Sequence, residues 1–496
     1  MGHTASIAPS AGSENGMTFI KEVVSECLKH HEECRKQSDT VPTRLLYIGS
    51  NLLPMKIILP NRSDKMLYAA LSHCWGGLKS LRLTVDNEES LRTHIEWESL
   101  PRTYQDAVIV CRELGLEYLW IDSLCIIQEG DNKLDWAAES SRMTDIYANA
   151  YVVIGASSAS NPEESILASR TNWRCKTHVI AWGGGELAER LLCARIEPAL
   201  GHHDNVDDSQ RDPLDLRAWA FQEFQLARRC INFTSDEIQW FCRGGQKCEC
   251  SSKWEPSFTR FEIFGDAKTE DWTDIVWNYS FRMLSLPQDK LAALSGLAAR
   301  FQQNHKDVEY VAGLWRNVDL PFQLGWRVQE APGSVYTESR APSFSWASVD
   351  GRAQIMTTIL TFSEGRYVLD FKQFNTGTTD IPGVIVEFYA DTSIALGKGV
   401  LPSGEMTPTA QRAITRTVPE EFAVPVSCLR LHTYKAYKYE VCIVLGRSAH
   451  HAGAYERLGY VEMFQTAIID RRRSAKLPWE GVWNTVSVPY REITLV

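Results

Sequence analysis

Leu67-Tyr-Ala-Ala-Leu-Ser-His-Cys-Trp75, closed by Gly76-Gly77, is an apolar run that ends in polar residues and a turn. That is the pattern of a buried strand delivering side chains to the end of a sheet. Further on, Pro101 opens a helix where a missing N–H costs nothing; Tyr104, Ala107, Val108, Cys111 and Leu114 keep helical spacing, and Gly115 stops it. Tyr118-Leu-Trp-Ile121 is a nearly continuous apolar run, as expected of a strand buried on both faces, and ends at Asp122-Ser123. Asp135 is placed to cap one further helix carrying Trp136, Glu139, Ser140, Met143 and Tyr147. Tyr151-Val-Val-Ile-Gly155, closed by Ser157-Ser158, is a third buried strand. Strand, helix, strand, helix, strand at these lengths predicts an α/β fold: a doubly wound, mostly parallel sheet with right-handed crossovers.

Around this centre the pattern changes. Residues 1–16 are rich in Ser, Gly and Ala and read as a disordered lead-in; an amphipathic helix follows from Phe19 to about Cys34, with Phe19, Val23, Cys27 and Leu28 on one side. Ala218 to Cys250 reads as short strands and turns, Trp272 to Gln303 as helical, and the chain from about 340 as Thr/Val-rich antiparallel strands. The expected organisation is a lead-in with a short helix (1–41), the α/β domain (42–225), a helical and irregular support region (226–340) and a β-rich C-terminal region (341–496).

Bulk composition narrows the class of function. At 496 residues, 44% hydrophobic and 23% charged, the chain is globular and long enough for more than one core. A net charge of -10 with mixed signs argues against nucleic acid as a partner. No apolar run approaches a membrane span and the N-terminus lacks the features of a secretory signal, although Gly2 and Ser6 fit the loose myristoylation pattern. Thirteen scattered cysteines then suit reduced thiols and a cytoplasmic location.

In a doubly wound sheet, ligands bind beyond the carboxyl ends of the strands. Three such ends, Ser72-His73-Cys74-Trp75, Asp122-Ser123 and Ser157-Ser158, would gather a hydroxyl, an imidazole, a thiol, an indole and a carboxylate on one edge. The plainer alternative makes Trp75 a core aromatic and Asp122 a cap. His73 and Cys74 are adjacent on a strand and point to opposite faces, so they cannot pair as nucleophile and base. Cys27-x3-His31-x2-Cys34 and Cys242-x5-Cys248-x-Cys250 each offer three ligands, whereas structural zinc takes four. No metal is therefore expected, and a site could arise only if the first helix packed against the second segment. Walker A, Gly-x-Gly-x-x-Gly and His-Glu-x-x-His patterns are absent from the sequence.

Several blocks, in order, resemble the fungal heterokaryon-incompatibility (HET) domain: Ala70-Leu-Ser-His-Cys-Trp-Gly76, Leu100-Pro-Arg-Thr-Tyr-Gln-Asp-Ala107, Tyr118-Leu-Trp-Ile-Asp-Ser-Leu-Cys-Ile126, a fourth from Asp135 to Ala150, and Arg217-Ala-Trp-Ala-Phe-Gln-Glu223. Cys27, His31 and Cys34 resemble the element common before that domain, and Trp346-Ala-Ser-Val-Asp-Gly351 a block after it. Tyr104 stands where Phe is usual, a change expected to be neutral because either buries an aromatic ring.

The resemblance implies non-self recognition ending in cell death, a TIR/flavodoxin-like fold, and NAD+ cleavage by one glutamate. Glu139, three residues after Trp136, matches the spacing of the TIR carboxylate. Glu139 from the resemblance, with His73 and Asp122 from the sheet edge, makes the candidate catalytic set, and Ser72, Cys74, Trp75, Gly76, Ser123, Trp136 and Arg142 the candidate ligand-binding set. No bound cofactor is implied; NAD+ or another small molecule is the candidate ligand, and an incompatibility partner protein, with or without self-association, the candidate partner. The plainer reading of Glu139 is a surface residue paired with Arg142 at i+3. The alternative function is an accessory enzyme of secondary metabolism using the same sheet edge.

Overall fold

Tyr68–Ser72, Tyr118–Ile121 and Val152–Gly155 lie side by side as parallel strands in the computed structural model. The structure describes residues 7–170, 211–254 and 269–355 with short interruptions, the strands 178–180 and 192–194, and strands between 376 and 464. The chain divides into two compact units, Met1–Phe261 and Glu262–Val496.

In the first unit the strands are β1 (Leu45–Tyr47), β2 (Lys56–Ile58), β3 (Tyr68–Ser72), β4 (Tyr118–Ile121), β5 (Val152–Gly155), the separate pair β6 (His178–Ile180) and β7 (Leu192–Ala194), then β8 (Arg229–Phe233), β9 (Ile238–Cys242) and β10 (Gly245–Cys248). The helices are α1 (Glu14–His30), α2 (Glu32–Arg35), α3 (Glu88–Thr93), α4 (Arg102–Glu113), α5 (Asp122–Cys125), α6 (Leu134–Ser140), α7 (Met143–Asn149) and α8 (Ala218–Leu226). Eight strands form one sheet in the order β10-β9-β8-β5-β3-β4-β1-β2.

This is an α/β fold with a mixed sheet, which corrects the mostly parallel expectation. Only β8-β5-β3-β4 run parallel. Both flanks are antiparallel, because β1–β2 and β8–β9–β10 are joined by connections too short for a crossover. Three-residue strands such as β1 and β2 carry too few alternations to be read from pattern alone.

Side chains alternate across the sheet, so each face has its own cover. Ala69, Leu71, Leu119, Ile121, Val152 and Ile154 share a core with Met17, Ile20, Val23 and Val24 of α1 and with Tyr104, Ala107, Val108 and Cys111 of α4. Tyr68, on the other face, donates from its hydroxyl to the Ile146 carbonyl of α7 at 2.7 Å, and Trp120 meets Tyr147 edge-on.

Helix α4 forms as its sequence predicts: Pro101 precedes it, and Gly115 ends it at φ +70°. The helix expected to continue from 135 to 147 is two, broken at Ser141-Arg142, where the Arg142 N–H bonds the Glu139 carbonyl in a tighter turn. Asp131, not Asp135, receives the N–H at the start of α6. The segment expected as strand or turn at 218–226 is α8; it is buried on most sides and so lacks an amphipathic period. The described part of the lead-in, from residue 7, is ordered: the Ala8 N–H donates to Glu249 at 2.6 Å, and the Ser13 side chain caps α1.

In the second unit, helices Thr269–Ser280 and Ala292–Asn304 pack Trp272, Tyr279 and Phe301 with Trp315 and Trp346. A five-stranded antiparallel sheet follows, formed by Thr376–Thr378, Ser427–Tyr434, Tyr439–Arg447, Tyr455–Phe464 and Tyr389–Ala390 in that spatial order. Among the described residues no helix is long and apolar enough to cross a membrane. Gly2 and Ser6 lie outside the described residues.

Candidate functional site

From β3 the chain crosses to β4 on one side and then returns past β3 to β5 on the other. The winding therefore reverses between β3 and β5, the position where open α/β sheets leave a crevice at their carboxyl ends. Ser72 and Gly155, the last residues of those two strands, are register partners there.

What lies at that point is a buried carboxylate. Glu223 of α8 accepts a short hydrogen bond from the Ser72 hydroxyl, and the Tyr147 hydroxyl of α7, which donates to the Leu71 carbonyl at 3.3 Å, lies beside the same carboxylate. Burial pushes the Glu223 carboxyl up to about 7, against the opposing pull of the Arg217 guanidinium and the Ser72 bond; the charge of Asp122 adds to the rise. A carboxyl poised there can give or take a proton near neutral pH. Arg217, on the turn before α8, also donates to the backbone carbonyl of His73.

His73 points to the opposite face, as strand alternation demands. Its Nε2 lies 3.0 Å from the Tyr104 hydroxyl, which is 2.8 Å from the Ser123 hydroxyl. Burial lowers the His73 imidazole to about 4, outweighing the attraction of Asp122, so the ring is neutral at physiological pH. Its 3.8 Å approach to Asp122 is accordingly a contact between a neutral ring and a carboxylate rather than an ion pair. Asp122 is held by the Ser123 N–H at 2.7 Å and the Trp75 indole N–H at 2.9 Å. Together with Trp75 it reaches the surface of an otherwise buried network.

The sequence-derived residues divide accordingly. His73, Trp75, Asp122 and Ser123 come together in one group, while Ser72 bonds Glu223 on the opposite face. Cys74 faces Leu214 and Ala220, and burial raises its thiol to about 11, which removes it as a nucleophile. Gly76 sits at φ +62°, where a Cβ would lie 2.2 Å from Asn161, so the turn itself requires glycine.

Glu139 is buried, but its bonds go elsewhere. It accepts from the Thr43 hydroxyl at 2.6 Å and pairs with Arg142 at 3.0 Å, beside the start of β1. Arg142 also reaches the Val41 carbonyl. Trp136 is half-buried on the same helix as Glu139. None of the hydrogen bonds described for Glu139 joins it to the His73–Asp122 group. Sequence reasoning missed Glu223, Arg217, Tyr104 and Tyr147 as parts of the site. Arg217 and Glu223 stood in a quoted block, and the signal available was their place in the pattern rather than any chemical spacing.

Fold and site together define an α/β protein whose sheet ends in a buried carboxylate–hydroxyl–imidazole network. Residues 68–223 match the family model described as Heterokaryon incompatibility protein (HET), and the chain carries a HET domain over that span. No curated protein and no solved structure matches the chain.

Proposed function

We propose that this chain acts in heterokaryon incompatibility as a cytoplasmic effector of the death response, with the carboxyl-end network as its working centre. The observation that carries the reading is where the matched span begins and ends. Residues 68–223 open on β3 and close on Glu223, and the carboxylate of Glu223 bonds Ser72 of β3. The match therefore closes on the residue that bonds the carboxyl end of the strand on which it opens, at the switch point of the sheet, where a small-molecule ligand is expected.

NAD+ is the candidate substrate within this reading. Loss of nicotinamide develops positive charge on the ribose, which a nearby carboxylate stabilises. Asp122 is the accessible carboxylate of the network, with Glu223 behind it as a proton reservoir. Glu139 could serve only after releasing Thr43 and Arg142.

The test is expression of the full chain in a fungal cell, following viability and cellular NAD+ together with Asp122→Asn, Glu223→Gln and Glu139→Gln. Loss of a catalytic carboxylate should slow NAD+ depletion roughly a hundredfold or more. Death without NAD+ loss would leave a signalling module and remove the enzyme. A well-folded chain that causes no death would shift the assignment to a biosynthetic enzyme using the same edge.

A further inference from the structure

At the opposite end of the sheet, two incomplete ligand sets meet. Cys27, His31 and Cys34 come from α1, α2 and the turn between them, and Cys242 is the last residue of β9. Their four ligand atoms all lie within 4.8 Å of one another. The Cys242 sulfur is 3.3 Å from His31 Nδ1, close to the ligand–ligand separation of roughly 3.5 Å that tetrahedral zinc imposes on sulfur and nitrogen. Cys27, Cys34 and Cys242 are each 1% exposed or less, and no disulfide joins them.

The surroundings are shaped to this cluster. The β9–β10 turn, Arg243-Gly244, packs directly against the cluster. Gly244 has no Cβ; one placed there would lie 2.3 Å from the His31 ring, so glycine is what lets the imidazole reach Cys242. Trp254 stands edge-on to the same ring with centroids 4.8 Å apart. Arg229 donates to the Cys34 carbonyl at 3.0 Å and brings a positive charge beside the cluster.

We propose that Cys27, His31, Cys34 and Cys242 form a structural zinc site that staples the N-terminal helix to the β9–β10 turn. Three thiolates and one imidazole fill a tetrahedral sphere, leaving no open position, as structural rather than catalytic zinc sites do. Soft thiolate donors select zinc over magnesium or calcium. Binding releases three protons, one from each thiol, and His31 binds neutral through Nδ1; the resulting centre carries a net charge of minus one, which Arg229 faces. The nearby group Glu237, Cys248 and Cys250 supplies only three donors, and Glu237 already accepts the Cys250 N–H at 3.0 Å, so it is not part of the site.

Purified full-length protein, loaded with Zn2+ under reducing conditions and desalted, should hold one zinc per chain by elemental analysis and native mass spectrometry. Replacing zinc with Co2+ should give ligand-field bands of tetrahedral cobalt and thiolate charge transfer of three-thiolate intensity. Cys242→Ser should reduce that charge transfer by about one third and weaken zinc binding more than the 10–100-fold typical of supporting residues. Gly244→Ala, which retains all four ligands, should weaken it by roughly 10–100-fold. Reduced, folded wild-type protein that takes up neither metal would overturn the site. So would cobalt spectra unchanged in Cys242→Ser, or a native disulfide among Cys27, Cys34 and Cys242.

Discussion

The two ends of the sheet are built from different chemistry. At the carboxyl end, hydroxyls, carboxylates and a neutral imidazole hold one another: Ser72 with Glu223, His73 with Tyr104, Tyr104 with Ser123, and Trp75 with Asp122. At the amino end, three thiols and an imidazole aim at a common point. The polar groups of the first end satisfy one another, since carboxylates accept, the indole N–H donates and hydroxyls do either. Sulfur is a weak hydrogen-bond partner, and a cluster of thiols gains little until something binds all of them. The first end is therefore complete as protein, and the second gains its stability from a metal.

The largest effect expected from this contrast is on removing metal. A strong chelator should destabilise the first unit by at least about 5 kcal/mol, since structural zinc contributes about 10 kcal/mol or more in small domains. At roughly 2–4 °C per kcal/mol, the melting midpoint should fall by about 10 °C or more. A chelator-insensitive midpoint would erase the distinction between the two ends.

The next effect belongs to Glu223. Its carboxyl is raised from 4.5 to about 7 in the folded chain, so folding favours its protonated form. The stabilisation is fully present below pH 4.5 and is lost as pH rises through 7, a change of roughly 3 kcal/mol. Glu223→Gln removes that slope, so the variant should gain on the wild type over this interval in urea midpoints measured along a pH series. His73 acts in the opposite sense: its pKa falls from 6.5 to about 4, so its contribution holds above pH 6.5 and is lost as pH drops through 4.

Smaller effects separate single partners. Tyr104→Phe keeps the ring but strips the hydroxyl between His73 and Ser123, and should cost about 1–2 kcal/mol in denaturant unfolding. Glu139→Gln, which weakens the pair with the partly exposed Arg142, should cost about 1 kcal/mol or less. A cost for Glu139→Gln above that of Tyr104→Phe would move the weight of the polar end toward β1.

The three parallel strands were legible because each is a short apolar run closed by polar residues, and their ends supplied Ser72, His73, Trp75, Asp122 and Ser123. Glu223 was not legible as part of that site: it lies on a helix with no amphipathic period, and only the fold brings it across to Ser72. Tyr104 was underrated for a related reason. A ring exchanged for a ring looks neutral until the partners of its hydroxyl are known. The metal ligands were visible as two sets of three, and neither set was sufficient. Whether α1 packs against the turn after β9 is a tertiary fact that spacing does not encode.

The packing of α1 against β9 also sets an order of events during synthesis. His31 and Cys242 are 211 residues apart, so at about 5–20 residues per second the ribosome delivers the second roughly 10–40 s after the first. Throughout that interval the thiols of Cys27 and Cys34 lack the partner that completes their cluster and stand open to oxidation. The site whose first ligands are made earliest is among the last to be completed. A nascent chain halted before residue 242 would hold only three of the four ligands.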